Sequence, residues 1–210
     1  SAYPYDHADG ALWSGRGLSA SVSGGVRVTQ GPLRITLDPT LTWSQNRAFA
    51  TAKHELRYPY EEIDWPQRLH EDAFAHVAWG QSALVLSGGP AQVSFGGENL
   101  SWGPARRYPI LLGNSAPGFA HVRVGTRKPV NVGIGALDVD LLWGRLDESP
   151  QFDTVTGNDH RLLTGFFAQL DLRGLEGLSL GVAGVQHNRW TEAKAKWLNL
   201  YTFQIGRAHV

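Results

Sequence analysis

The run LSASVSGGVRVTQGPLRITLDPTLTWS, Leu18 to Ser44, decides the fold. Its even positions to Val28 are apolar or glycine (Leu18, Ala20, Val22, Gly24, Val26, Val28). The odd ones are Ser19, Ser21, Ser23, Gly25, Arg27 and Thr29. A period of two puts the two sets on opposite faces of a strand. Gln30-Gly31-Pro32 marks a tight turn, and the return run places Leu33, Ile35, Leu37, Leu41 and Trp43 opposite Arg34, Thr36, Asp38, Thr40, Thr42 and Ser44. Strands of soluble proteins are mostly about 5 to 6 residues long. Two alternating runs of about 10 to 12 residues match the length of a tilted strand crossing a bilayer, the alternative for these two strands being a twisted hairpin in a soluble β-protein.

Outward from this hairpin the same signal recurs. Ala83 to Ser87 turns through Gly88-Gly89-Pro90 into Ala91, Val93 and Phe95. Ala120, Val122 and Val124 alternate with His121 and Arg123. Val132 to Trp143 changes phase part-way, which predicts a β-bulge. Leu162 to Leu172 and Leu178 to His187 predict another hairpin, and Trp197 to Phe203 a further strand. Gln45 to Gly80 and Asp147 to His160 break the period and predict long polar loops. The fold class expected is all-β: an antiparallel meander of about 9 to 10 strands forming part of a transmembrane barrel.

Composition narrows the function classes. The formal net charge is zero and only 18% of residues are charged, where about 25% is usual, so there is no basic field to attract nucleic acid. With no cysteine, thiolate metal sites, disulfides and Cys nucleophiles are excluded. No run approaches the 18 apolar residues of a transmembrane helix, which leaves strands as the means of crossing a membrane.

Catalytic spacing is weak throughout. Glu61, Glu62 and Asp64 beside Trp65 offer carboxylates, but adjacent acids in a loop suit a solvated patch better than a glycosidase, which needs two separated ones. His54, His70, His76, His121, His160 and His187 lack metal-ligand spacing, and no metal or other cofactor is expected. Ser14 and Ser101 lack the flanking glycines of a hydrolase elbow.

The densest stretch is Glu98 to Thr126, ENLSWGPARRYPILLGNSAPGFAHVRVGT. Its glycines and prolines forbid a long helix and predict a shaped loop. Glu98, Asn99, Leu100, Trp102, Gly103, Pro104, Arg106 and Arg107, then Asn114, Ala116, Pro117, Gly118 and Phe119, then Arg123, Gly125 and Thr126 form a pattern. This pattern resembles the signature of the capsule-assembly (Wzi-like) family of bacterial outer-membrane proteins. Shorter echoes occur at Tyr3-Pro4-Tyr5, Asp9-Gly10-Ala11, Gly15-Arg16-Gly17, Gly80-Gln81-Ser82 and Trp143-Gly144-Arg145-Leu146.

The resemblance implies an outer-membrane barrel of about 18 strands with helical elements on the periplasmic side, of which residues 1–204 would supply roughly half. Residues 205–210, Ile-Gly-Arg-Ala-His-Val, read as a translated sequencing adapter and are set apart as a non-native tail. The implied function is non-catalytic: binding capsular or other surface polysaccharide, next to outer-membrane lipid and lipopolysaccharide, during capsule assembly or attachment. A channel barrel is the alternative, and a polysaccharide- or lipid-acting hydrolase the last choice. Trp102, Arg106, Arg107, Tyr108 and Asn114 are the candidate polysaccharide contacts, since guanidinium forks suit acidic sugars and aromatic rings stack on sugar faces; the other reading of Arg106 and Arg107 is pairing with Asp or Glu inside a barrel to hold a loop in place. Glu98, Asn99, Gly103, Pro104, Pro117, Gly118 and Arg123 are expected to shape the loop.

Overall fold

In the computed structural model, residues 9–49, 70, 72–105, 109–148, 157, 159–175 and 177–190 are described. They form twelve strands and no α-helix: β1 (Ser19–Ser23), β2 (Val26–Gln30), β3 (Leu33–Leu37), β4 (Thr40–Ser44), β5 (Phe74–Ala78), β6 (Ala83–Gly88), β7 (Ala91–Gly96), β8 (His121–Thr126), β9 (Val130–Asn131), β10 (Gly135–Asp147), β11 (His160–Leu172) and β12 (Ser179–Arg189). One sheet runs β12-β11-β10-β8-β7-β6-β3-β2, with β9 also on β10, and a smaller sheet runs β1-β4-β5. All strand pairings are antiparallel, so the all-β meander expected from the alternation is present.

The Leu18–Ser44 hairpin is one ladder with a break in it. Ser19 faces Ser44 and Val26 faces Leu37 in a single unshifted register. The break at Gly24-Gly25 and Asp38-Pro39 has a steric cause. Pro39 brings no N–H to a ladder, and a Cβ at Gly25 would overlap the Leu37 carbonyl.

Two expectations are corrected. The stretch Gln45 to Gly80 is not wholly loop, because β5 lies within it and pairs with β4. Between β5 and β6 one extra residue is inserted. Thr40 faces Ala78 and Thr36 faces Ala83, so five steps on one strand oppose four on the other. Gly80, at φ 57°, takes up this bulge, and the Gln81 N–H donates to the Asp38 carbonyl. The bulge expected in Val132–Trp143 is absent, since β10 pairs with β11 without interruption from Gly135 to Asp147. The phase change there is a turn. Gly133 has φ 86°, and the Val132 N–H donates to the Gly135 carbonyl.

The two faces of the sheet differ in burial among the described residues. One row of paired residues crosses it as Val28, Ile35, Leu84, Phe95, Val122 and Trp143. Of these, Val28, Ile35, Leu84, Phe95 and Val122 are exposed, as are Val22, Leu37, Leu41, Trp43, Val77, Leu86 and Val93 from adjoining rows. The other face holds Thr36, Thr42, Ser44, Ser94, His121 and Asp140, all buried. That polar face is the covered one, because the segment between β7 and β8 packs back onto it. Leu100 and Trp102 from that segment join Leu142, Leu163 and Phe167 in the apolar core cluster.

The two ends of the sheet differ as well. Short turns join β2 to β3, β6 to β7, β9 to β10 and β11 to β12. The connections at the opposite end are long, running from Gln45 to Ala73, from Gly97 to Ala120 and from Glu148 to Asp159.

Candidate functional site

Residues 97–120 leave β7 at its long-connection end and return to β8 beside it. Gly118 packs against the Gly97 carbonyl so closely that a Cβ would collide with it, which closes the base of the loop and makes glycine necessary there. Glu98 Oε2 sits 3.8 Å from His121 Nε2, and His121 Nδ1 donates to the Phe119 carbonyl at 2.8 Å. A carbonyl can only accept, which fixes the proton on Nδ1. Asn99 braces the interior of the loop. Its amide donates to the carbonyls of Gly113 and Ala116, each at 2.9 Å, and its Oδ1 accepts from Gln81 Nε2 at 3.2 Å.

Beyond Asn99 the loop becomes a wedge. Trp102 is 5% exposed and stacks on Phe167 with ring centroids 6.0 Å apart and planes 15° from parallel. Gly165 makes room, since a Cβ there would lie 2.9 Å from the Trp102 ring. Asp140 Oδ1 lies 3.0 Å from Arg123 Nε. Gly103, at φ 90°, and Pro104 then turn the chain away. Phe119 packs on Gly144 in the same manner, where a Cβ would overlap its ring.

The expected site residues therefore divide. Glu98, Asn99, Gly103, Gly118 and Arg123 shape or anchor the loop, and Pro104 and Pro117 lie within it. Trp102 is a core residue in this fold, so its face is not free to stack on a sugar. Arg106, Arg107 and Tyr108 lie outside the described residues, as do Glu61, Glu62, Asp64, Trp65 and the strand expected at Trp197 to Phe203. The 205–210 tail lies outside them too.

Asn114 belongs to a different feature. Its carbonyl accepts from the Gly10 N–H at 2.9 Å, which ties the segment before β1 to the loop. Under that tie lies a cavity of about 280 Å³. Asp9, Gly10, Ala11, Ser21, Ser23, Asp38, Thr40, Ala78, Gly80, Gln81, Asn99, Asn114, Pro117 and Gly118 line it. Three separate stretches of sequence, around Asp9, Gly80 and Asn114, thus meet at one place.

The sequence had flagged Asp9 and Gln81 only as echoes, and Ser21, Ser23, Asp38 and Thr40 only as the polar half of an alternation. That polar half was the available signal. Among the described residues no group of three or more His, Cys, Asp or Glu side chains could hold a metal ion. Set against protein-family models, curated proteins and solved structures, the chain matches none.

Proposed function

We propose that this chain is part of an outer-membrane β-barrel protein of the capsule-assembly kind, and that it acts without catalysis by holding surface polysaccharide. One observation carries the membrane half of this reading: on one face Val28, Ile35, Leu84, Phe95 and Val122 stand exposed, while Thr36, Thr42, Ser44, Ser94, His121 and Asp140 on the other are buried. In water such an arrangement wastes the hydrophobic contribution of about 25 cal/mol per Å². Against lipid it is the stable one.

The asymmetry of the ends supports the same reading. Outer-membrane barrels carry short turns toward the periplasm and long loops toward the outside. On that basis the segments 45–73, 97–120 and 148–159 would face outward. Closure would satisfy the edges of β2 and β12 that are unpaired among the described residues, since an open sheet edge is not tolerated in hydrocarbon. The polysaccharide half rests on the Glu98–Thr126 pattern and on the polar cavity that its residues help to line.

The test is made in cells. The protein should fractionate with the outer membrane and resist carbonate extraction, and its deletion should release polysaccharide from the surface into the medium. Full retention of polysaccharide in the deletion strain would refute the role in attachment.

A further inference from the structure

We infer that the cavity beneath Asn114 takes a sugar unit that carries no negative charge, either neutral or bearing an amine, and selects against uronic acids. This rests on the polysaccharide reading above and gives it a site and a sign. The volume of about 280 Å³ lies just below the small-molecule range, which starts near 300 Å³, and suits a single ring rather than an extended chain.

The chemistry of the walls gives the ligand class. Ser21, Ser23 and Thr40 present hydroxyls that both donate and accept, while Asp9 and Asp38 present carboxylates that accept from neighbouring hydroxyls. A polyol offers the matching alternation of donors and acceptors. Asn99 already spends its amide protons on Gly113 and Ala116, so it is a wall and not a contact.

The sign comes from charge. Among the described residues two carboxylates line the cavity and no lysine or arginine does. A sugar carboxylate placed among them meets like charge in a partly enclosed space where screening is weak, whereas an ammonium meets attraction. This is the reverse of the preference expected for Arg106 and Arg107. The bulge makes the arrangement possible, because Gly80 brings Gln81 to the cavity beside Asp38.

The experiment titrates the whole barrel protein that contains this chain, folded in detergent micelles, with three tetramers: of glucosamine, of glucose and of galacturonic acid. Calorimetry should show the glucosamine tetramer binding best, the glucose tetramer next, and the galacturonate tetramer at least tenfold more weakly than either. In the isosteric double variant Asp9→Asn with Asp38→Asn, the preference for amine over carboxylate should fall by about tenfold or more. Ser21→Tyr, which fills the cavity from an exposed position, should abolish binding of the first two. An unchanged heat-modifiable gel shift checks that each variant is folded.

Binding of the galacturonate tetramer as tight as that of the glucose tetramer would overturn the inference. So would indifference to both sets of variants, or no binding of the first two tetramers. Polysaccharide retention in the deletion strain is scored separately. If deletion releases polysaccharide while these titrations fail, the cavity is wrong and the attachment role stands.

Discussion

Trp102 shows how a residue that looks exposed and sugar-facing in sequence acquires a structural task. It stacks on Phe167 over Gly165 and is almost wholly buried. Trp102→Ala should therefore lower stability by about 3–5 kcal/mol, while Trp102→Phe, which keeps an aromatic ring against Phe167, should cost less. Urea unfolding in micelles, followed by intrinsic fluorescence, checks both. Thr126 has an unexpected role at the same scale. Between β8 and β9 two residues more are used than on the facing stretch of β10, so the backbone ladder gaps. The Thr126 hydroxyl fills the gap, accepting from the Val139 N–H at 3.1 Å and donating to the Asp138 carboxylate. Thr126→Val keeps the shape and leaves that N–H without its partner, so a loss of about 1–3 kcal/mol is expected in the same unfolding measurement.

At the scale of elements, the strands separate into two faces whose tolerance to charge should differ. Leu86 and Ser87 are adjacent in β6, with Leu86 on the bare apolar face and Ser87 on the covered one. Leu86→Arg should destabilise the protein folded in lipid vesicles by about 2–4 kcal/mol if its level is near the bilayer midplane, and Ser87→Arg by much less. Equal costs would argue against a lipid-facing band. The elements were mostly legible in sequence because alternation is local: β1, β3 and β4 fall within the runs expected, and β2, β7, β11 and β12 overlap them with one end displaced by a residue or two. β5 was not legible, and the reason is the inserted residue near Gly80. It shifts the covered face from even positions (His76, Ala78) to odd ones (Ala83, Val85), so no single period spans the strand. At Val132–Ile134 the opposite happened, and a tight turn imitated a bulge.

For the whole molecule, the wedge of Leu100 and Trp102 against Leu142, Leu163 and Phe167 occupies the face that would line a barrel lumen. A protein of this kind reconstituted in planar bilayers should pass little current. Replacing residues 99–117 by a short Gly-Ser linker should raise conductance measurably. High conductance in the unaltered protein would favour the channel alternative over attachment.

What the sequence by itself determined is the strand periodicity, the polarity of each face and the presence of a built loop between Glu98 and Thr126. Each of these depends on neighbours two to a few residues apart. Only the tertiary structure decided that the apolar face is the bare one, that Trp102 is core, and that Asp9, Asp38, Gln81 and Asn114 surround one cavity. Those outcomes depend on contacts between segments up to a hundred residues apart. The placement of such segments is set by register, by one bulge and by the close approach of Gly118 to Gly97, none of which has a local period to read.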